Sequence, residues 1–442
     1  MLLEYFVWGA WYVTMATYMS EFLKSSGIQI GAAYSALAIA TMISPFFIGI
    51  VADRYFAAQR IMGVLHLVGA ALLFLATQVS DNNMFYWVIL FYSLMYMPTI
   101  ALSNSIAFGQ MTDPGKQFPW IRVFGTLGWI IAGLMIGVLG IEKTPSTFIM
   151  ASVASAILGL LSFALPHTPP KGKTASVESG ISKDAFSLLQ ISKNAAVTLG
   201  ILLVAIPLVM YFFVFDLIGS FSPVGRLDTA LISVIVYILI VPFLVTSKDR
   251  SYLIFFVSAI LVCIPLSFYY GFANLFLNEA GVQNAASKMI LGQVSEGVFI
   301  LAIPFLFNSI GVKKMLLLGM TAWILRYVCF AFGNVDSGLW MLYAGIILHG
   351  ICYDFFFVTG YMYTEKKAGE KIKNAAQGLF TFATYGVGMV IGTRFSGFTA
   401  DYYRMNNAYD WKQIWFVPAF IAVFVLIYFV LFFKEKKDVK AA

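Results

Sequence analysis

The sequence predicts an all-α polytopic membrane protein with about 14 transmembrane helices. Of its 442 residues, 60% are hydrophobic and only 11% are charged. Soluble domains carry about 25% charged residues, so this deficit excludes an ordinary cytosolic protein. Apolar stretches of roughly 18 residues or more also recur along the whole chain, which is the pattern of membrane-spanning helices.

The predicted spans follow one another along the chain, with boundaries that are good to a few residues. They lie near 2–23, 31–52, 61–79, 84–109, 119–140, 147–165, 195–218, 228–247, 251–277, 288–309, 315–333, 338–363, 375–400 and 413–433. The first span contains Glu4 and is too long for the apolar core of a signal peptide, so we expect no cleavable leader.

Basic residues in the connections predict the orientation of the chain. Nineteen Lys and Arg residues lie in one alternating set of connections and six in the other. Because cytoplasmic loops of membrane proteins are enriched in Lys and Arg, we expect the first set and both termini in the cytoplasm. The net charge of +7 is then a topology signal, and nucleic acid is not expected as a partner.

Ionisable residues inside the predicted spans mark a candidate transport pathway. Glu296, Asp354 and Arg122 all lie in apolar helices, where charged side chains are costly and usually functional. Two carboxyls against one guanidinium leave one carboxyl without an obvious partner, and a desolvated carboxyl can change its charge near neutral pH. Arg326 and Arg394 are less informative, since Arg326 has no nearby carboxylate in sequence and Arg394 lies near the outer end of its predicted helix, where its side chain can snorkel to the interface. The pattern favours a proton-coupled carrier over an enzyme.

Candidate site residues are grouped at helical spacing. Arg122, Thr126 and Trp129 are spaced i, i+4, i+7, so they share one face of a helix and offer a cation, a hydroxyl and an aromatic plate. Three further groups have members about one turn apart: Gln293 with Glu296; His349, Tyr353 and Asp354; and Ser267, Tyr270 and Asn274.

Metal ions and cofactors are not expected. Cys263, Cys329 and Cys352 are scattered in apolar helices without ligand spacing, and His66 and His167 have no metal-ligand partners nearby in sequence. No Ser/His/Asp grouping or helix-borne H-E-x-x-H motif is present, so the sequence predicts no enzyme activity.

A loop motif and several longer runs resemble known transporters. In GIVADRYFAAQR (49–60), the order Gly-x-x-x-Asp-Arg followed by a basic residue resembles the signature of the major facilitator superfamily. The alternative is an ordinary positively charged cytoplasmic loop. NSIGVKK (308–314) is a weaker echo without the Asp-Arg pair. Further runs resemble the nucleoside/proton symporter family, among them WGAWYVTMATYM (8–19), YMPTIALSNSIAF (96–108), FPWIRVFGTLGW (118–129), GQVSEGVFILAIPF (292–305) and GICYDFFFVTG (350–360).

This resemblance implies a fold, an activity and a set of residue roles. The fold would be a major facilitator fold: an N-terminal six-helix bundle at 1–165, a cytoplasmic linker at 166–194 and a C-terminal six-helix bundle at 248–442. The segment 195–247 departs from the family as an inserted two-helix hairpin, which we expect outside the transport path. The family retains Arg, Thr, Gln, Glu and Asp in nucleoside binding or proton coupling, here Arg122, Thr126, Gln293, Glu296 and Asp354.

Other positions depart from the family in side-chain type. Trp129 and Tyr353 stand where phenylalanine is common, and His349 where tyrosine occurs. Ser267 and Tyr270 replace amide side chains, which removes hydrogen-bonding groups suited to a base edge or ribose. Base preference and the restriction to nucleosides therefore stay open.

The sequence favours a monomeric, proton-coupled nucleoside importer that works by alternating access in a bacterial inner membrane. We expect Asp354 or Glu296 to carry the coupled proton; Asp354 is the favoured group, and Glu296 is then shared between Arg122 and the ligand. A transporter of another small polar solute, such as a sugar or a muropeptide fragment, is the main alternative. An exporter of amphipathic compounds ranks lower, and a receptor or an intramembrane enzyme ranks last. Two structural alternatives also remain: a locking Arg122–Glu296 ion pair, and a purely structural Asp354.

Overall fold

The computed structural model describes residues 1–47, 56–169, 249–369, 372–406 and 408–434. Several predictions therefore lie outside the described residues. They are the inserted hairpin at 195–247, most of the linker at 166–194, and the Asp53–Arg54 pair of the loop motif.

The N-terminal part of the chain is helical throughout its described length. Its helices are α1 (Leu2–Gly9), α2 (Met15–Glu21), α3 (Gly27–Phe47), α4 (Ala58–Ala76), α5 (Asn82–Gly109), α6 (Pro114–Leu139) and α7 (Ser146–Ser162). The first predicted span is interrupted between α1 and α2, where the Trp11 N–H donates to the Trp8 carbonyl at 3.4 Å in a tighter turn. This turn lies beside the central cavity described below.

The C-terminal part begins with two long helices, α8 (Arg250–Glu279) and α9 (Ala285–Phe332). The α9 segment contains two of the predicted spans, which meet at Gly311 with φ 79° and ψ 166°, a conformation suited to glycine. The remaining elements are α10 (Leu339–Ile347), α11 (His349–Tyr353), α12 (Thr359–Ala368), α13 (Lys373–Thr381), α14 (Met389–Tyr402), the β1 (Arg404–Met405) and β2 (Ala408–Tyr409) hairpin, and α15 (Trp411–Phe432).

Two π-helical segments interrupt the C-terminal helices. Asp354–Val358 lies between α11 and α12, and Phe382–Gly388 lies between α13 and α14. A π-helical turn shifts the hydrogen-bond register by one residue and often marks a functional position. Both segments lie beside the central cavity.

The described helices fit a membrane-embedded protein. Ten helical segments within the described ranges are long and apolar enough to cross a bilayer. Large apolar side chains such as Val138 and Phe305 are 84% and 78% exposed, so the exterior is itself apolar and suited to lipid. The predicted total of about 14 spans is neither confirmed nor contradicted. Two of the predicted spans lie outside the described residues. The span near 2–23 is divided between α1 and α2, and the span near 147–165 corresponds to the 17-residue α7.

Small residues bring the N-terminal helices α1–α7 and the C-terminal helices α8–α15 into backbone contact. We call these two sets of helices the N-terminal and C-terminal bundles. A Cβ at Gly31 on α3 would lie 2.2 Å from the Thr393 carbonyl oxygen on α14, and a Cβ at Gly397 would lie 2.3 Å from the Gly27 oxygen. Only glycine permits so close a crossing, as is typical of small residues between membrane helices. The α3–α14 crossing therefore fixes one side of the bundle interface.

Two carboxylates connect the bundles at one end of the molecule. Asp401, at the end of α14, accepts hydrogen bonds from the backbone N–H groups of Gly27 and Ile28 at 2.5 and 2.8 Å. Glu142, which follows α6, accepts from the Ala286 N–H at 2.9 Å. Each carboxylate thus caps the first turn of a helix in the opposite bundle, where an anion is favourable. We call Glu142 and Asp401 the interface carboxylates.

Candidate functional site

A cavity of about 330 Å³ lies between the two bundles. Both bundles contribute to its wall, mainly through α1, α3, α6, α8, α9 and the segments around the two π-helical turns. On α3, α6 and α14 the lining residues lie away from the end held by the interface carboxylates. Seven of the predicted site residues line it: Arg122, Thr126, Trp129, Tyr270, Gln293, Glu296 and Tyr353.

The N-terminal wall carries the cavity's cation and an aromatic cluster. The Arg122 guanidinium carbon lies 4.2 Å from the centroid of the Tyr5 ring, a cation–π contact. Arg122 is exposed to the cavity rather than buried. Among the described residues no carboxylate lies within 4.0 Å of it, so the Arg122–Glu296 ion pair is not formed in this conformation.

Aromatic side chains from α1 and from the turn that follows it complete this wall. Trp129 contacts Trp8 edge to face, with ring centroids 5.5 Å apart, and Tyr12 contacts Tyr270 at 5.6 Å. Tyr5, Trp8 and Tyr12 were not among the predicted site residues, although all three line the cavity. Their i, i+3, i+7 spacing at the start of the chain is the signal that could have identified them.

The C-terminal wall presents an amide and a carboxyl from α9. Gln293 and Glu296 both line the cavity, and the Glu296 side chain is 27% exposed. A Cβ at Gly350 would lie 2.5 Å from the Ser295 backbone, so α11 crosses α9 in close contact. This crossing places His349 beside Glu296, with His349 Nε2 3.9 Å from Glu296 Oε2.

His349 lies behind the wall rather than in it. Its side chain is fully buried, and its Nδ1 lies 3.1 Å from Nη1 of Arg326, which is also fully buried. The sequence alone suggests no role for Arg326. Its partners come from α8, α10 and α11, which the spacing along a single helix cannot indicate.

Asp354 occupies the first position of a π-helical segment and is fully buried. Neither carboxyl oxygen has a hydrogen-bond partner within the described part of the chain. A charged carboxylate without a partner is costly in such surroundings, whereas a neutral acid is tolerated. The preceding residue, Tyr353, lines the cavity and its hydroxyl accepts a hydrogen bond from Tyr385.

Ser267 and Asn274 lie outside the cavity wall. The buried Ser267 hydroxyl donates to the Cys263 carbonyl of its own helix at 2.7 Å. Asn274 accepts a 2.6 Å hydrogen bond from Thr17 Oγ1, and its amide lies 3.3 Å from Glu142. In this conformation Ser267 therefore packs within its own helix, and Asn274 contacts residues of the other bundle, so neither lines the cavity.

A second buried carboxyl–imidazole pair lies in the N-terminal bundle. Glu4 is fully buried, its Oε2 lies 3.0 Å from His66 Nε2, and its Oε1 accepts from Thr99 Oγ1 at 2.7 Å. His66 Nδ1 in turn lies 3.1 Å from the Ser155 hydroxyl. Every side-chain polar atom of Glu4 and His66 has a hydrogen-bond partner. We therefore interpret the pair as a structural contact that holds α1 against α4 and α5.

Metal ligation has no support in the described geometry. Within the described ranges no three His, Cys, Asp or Glu side chains come together as a metal site. The described lining residues of the cavity offer aromatic plates, hydroxyls, an amide, one carboxyl and one cation. These groups suit a flat, uncharged ligand with several hydrogen-bonding groups.

Comparison with known proteins gives a consistent family match. The model of the nucleoside H⁺ symporter family matches residues 1–248 and 233–438. The chain is 36% identical to the putative nucleoside transporter YegT of Escherichia coli K12, over 99% of this chain and 93% of the relative. It is 33% identical to the xanthosine permease of the same organism, over 99% of this chain and 94% of the relative.

A solved structure agrees with the fold. The crystal structure of the nucleoside transporter NupG superposes with a TM-score of 0.78 at 30% identity, covering 98% of this chain and 97% of that chain. The NupG sequence from Escherichia coli K12 is 32% identical over 98% of this chain and 94% of the relative.

Proposed function

This chain belongs to the nucleoside H⁺ symporter family, and from that premise we propose that it imports nucleosides together with protons. Its curated relatives include a nucleoside permease, a xanthosine permease and a putative nucleoside transporter. The transported ligand is a neutral nucleoside, and each transport cycle carries at least one proton in the same direction.

The cavity wall is the observation that carries this proposal. Trp129, Trp8 and Tyr270 offer ring faces or edges to a planar base, and stacking on an aromatic side chain contributes about 1–3 kcal/mol per base. Gln293, Thr126 and Glu296 offer hydrogen-bonding groups to base edges and ribose. Arg122 is the single arginine or lysine among the described lining residues, so the wall lacks a cradle for phosphate groups and disfavours nucleotides.

Asp354 is the proposed proton-coupling group. Its burial without a hydrogen-bond partner favours the neutral acid in the described conformation. Access to water in another conformation would favour the carboxylate, so the conformational change and the proton exchange are linked. Glu296 and Arg122 are proposed to bind ligand, with Thr126, Trp129, Gln293, Tyr270 and Tyr353 beside them. Ser267, Asn274 and His349 contribute from behind the wall.

The two bundles are proposed to alternate access to this cavity, as a monomer in the bacterial cytoplasmic membrane. They comprise 1–165 and 248–442, joined through the linker and the inserted hairpin. With both termini in the cytoplasm, the interface carboxylates lie at the outer end and hold it closed. Arg122 then faces the cytoplasmic side, so the described conformation is open inward.

Competition of uptake tests the substrate class. Proteoliposomes with an inward proton gradient take up labelled uridine or adenosine, and excess nucleosides, a uridine monophosphate and a disaccharide are added in turn. We expect inhibition by nucleosides only. Inhibition by the sugar alone, or no nucleoside uptake by folded protein, would favour the alternative of another small polar solute.

A further inference from the structure

A buried arginine lies directly behind the C-terminal wall of the cavity. Arg326 is fully buried, and its guanidinium carbon lies 3.4 Å from the centroid of the Tyr269 ring. Its Nε donates to the Gly345 carbonyl at 2.9 Å. Within the described ranges no carboxylate lies within 4.0 Å of it. A buried cation is costly unless nearby groups compensate its charge. The groups in contact with Arg326, which are Tyr269, Gly345 and His349, therefore indicate what this arginine does.

The arginine determines which nitrogen of His349 carries a proton. A guanidinium only donates hydrogen bonds and stays protonated, so the His349 Nδ1 that lies 3.1 Å from Arg326 Nη1 must accept. The proton of the neutral imidazole is then on Nε2. Tyr269 stacks on the imidazole, with ring centroids 4.9 Å apart and an interplanar angle of 24°, which restricts the ring.

The Nε2–H of His349 faces the ligand-binding carboxyl. This nitrogen is buried and has no hydrogen-bond partner among the described residues. Glu296 Oε2 lies 3.9 Å away, too far for a hydrogen bond in this conformation but within reach of a small side-chain movement. The His349 imidazole therefore lies between the buried Arg326 cation and the Glu296 carboxyl, with its Nε2–H directed toward that carboxyl.

We propose that Arg326 is a positioning residue for Glu296 that acts through His349. The buried cation fixes the His349 tautomer, and the imidazole N–H holds the Glu296 carboxylate in the orientation that accepts hydrogen bonds from ligand hydroxyls. His349 then supports the wall without touching the ligand. This inference deepens the proposed function and rests on it, because it assigns a role in nucleoside binding.

A double-mutant cycle separates this role from simple packing. We compare Arg326→Met, Glu296→Gln and the double variant by equilibrium binding of the labelled nucleoside that the wild-type protein transports. Arg326→Met alone is expected to weaken binding about tenfold, but less than about twofold in the Glu296→Gln background, because coupled residues are not additive. An equal loss in both backgrounds would show that Arg326 acts independently of Glu296 and would overturn the proposal.

A matched pair at His349 tests the relay without removing the buried charge. In His349→Gln, an amide N–H can take the place of Nε2–H toward Glu296. In His349→Asn, the side chain can accept from Arg326 but is too short to reach Glu296. Binding is expected within about threefold of wild type for Gln and about tenfold weaker for Asn. The reverse order, or equal losses, contradicts the proposal even if Arg326→Met fails to fold.

The failure of this inference is distinguishable from the failure of the proposed function. If wild-type protein binds no nucleoside, the proposed function fails and the relay has no nucleoside to position. If wild type binds nucleoside but the cycle is additive, only the relay fails. Melting temperatures of all variants, measured without ligand, identify any loss of binding that comes from unfolding.

Discussion

Two carboxyls in the helices of the C-terminal bundle, Glu296 and Asp354, have different surroundings. Glu296 keeps 27% of its side chain exposed and has His349 Nε2 within 4.0 Å. Asp354 is fully buried, and its oxygens lack partners in the described part of the chain. The first arrangement suits a group that stays available to a ligand, and the second suits a group that binds and releases a proton when its environment changes. These are the roles that we propose for them.

Replacing Asp354 with Asn should uncouple transport from the proton gradient. One proton moving down a gradient of one pH unit supplies about 1.4 kcal/mol, which supports about tenfold accumulation of a neutral solute. Asn resembles the neutral acid in shape but cannot exchange a proton. We expect the accumulation ratio to fall to about one while nucleoside exchange between the two sides continues. Accumulation that persists in Asp354→Asn would assign coupling to another group.

Replacing Trp129 with Ala should weaken nucleoside binding, because a stacking surface is lost. The expected change in Kd is about 5- to 150-fold, which corresponds to about 1–3 kcal/mol. Trp129→Phe is the control, since it keeps a ring face and most of the packing against Trp8. Isothermal titration or equilibrium binding measures both variants. An equal loss in the Phe and Ala variants would argue against stacking at this position.

Helical spacing in the sequence explains part of the site and misses part of it. Spacing placed Arg122, Thr126 and Trp129 on one face, and that face lines the cavity. The same argument grouped Ser267 with Tyr270, but only Tyr270 lines the cavity. Spacing identifies a shared face of a helix without indicating which neighbour covers it. The Arg326–His349 contact joins two helices, so no local pattern could reveal it.

At the scale of elements, the long apolar helices follow from composition, whereas their interruptions do not. Hydropathy predicts where a span lies because every turn must be apolar in lipid. The turn between α1 and α2 and the π-helical segments change hydrogen-bond register within apolar sequence, so hydropathy passes over them. Those interruptions lie beside the cavity, where they aim Tyr12 and Tyr353 at its interior.

Enlarging Gly31 should destabilise the α3–α14 crossing. A Cβ there would lie 2.2 Å from the Thr393 carbonyl oxygen, so Gly31→Ala forces the two backbones apart. We expect a loss of about 1–3 kcal/mol in the free energy of unfolding, as for other overpacked interiors. Gly378→Ala is the matched control, because its Cβ would meet no atom within 4 Å. Thermal unfolding of the purified protein in detergent measures both, and equal melting temperatures would contradict this account of the crossing.

At the scale of the whole molecule, the family prediction is confirmed, since the family match spans 1–248 and 233–438. The two bundles meet through glycine crossings and the interface carboxylates, and the cavity lies between them. The sequence predicts the apolar helices of both bundles from hydropathy, whereas the linker at 166–194 stays a prediction because most of it lies outside the described residues. It could not predict Glu142 and Asp401 as contacts, because each binds backbone N–H groups far away in the chain.

Removing one interface carboxylate should open the end of the molecule at which these carboxylates join the bundles. Asp401→Asn replaces a charged acceptor at the first turn of α3 with a neutral amide, at a cost of about 0.5–2 kcal/mol. Spin labels at the exposed Ser80 and Asp336 report the separation of the bundles at that end. We expect a new, longer distance in Asp401→Asn and in Glu142→Gln. An unchanged distance distribution in both variants would show that these contacts do not hold the end closed.

The central claim, proton-driven nucleoside import, is tested most directly by accumulation in proteoliposomes. Labelled uridine or adenosine is supplied outside, with and without an inward proton gradient, and a protonophore is then added. The account predicts accumulation above the external concentration that needs the gradient and collapses with the protonophore. If the internal nucleoside concentration only reached the external one, with or without the proton gradient, the result would contradict symport and indicate a facilitator. No uptake of any nucleoside by folded protein would contradict the substrate assignment itself.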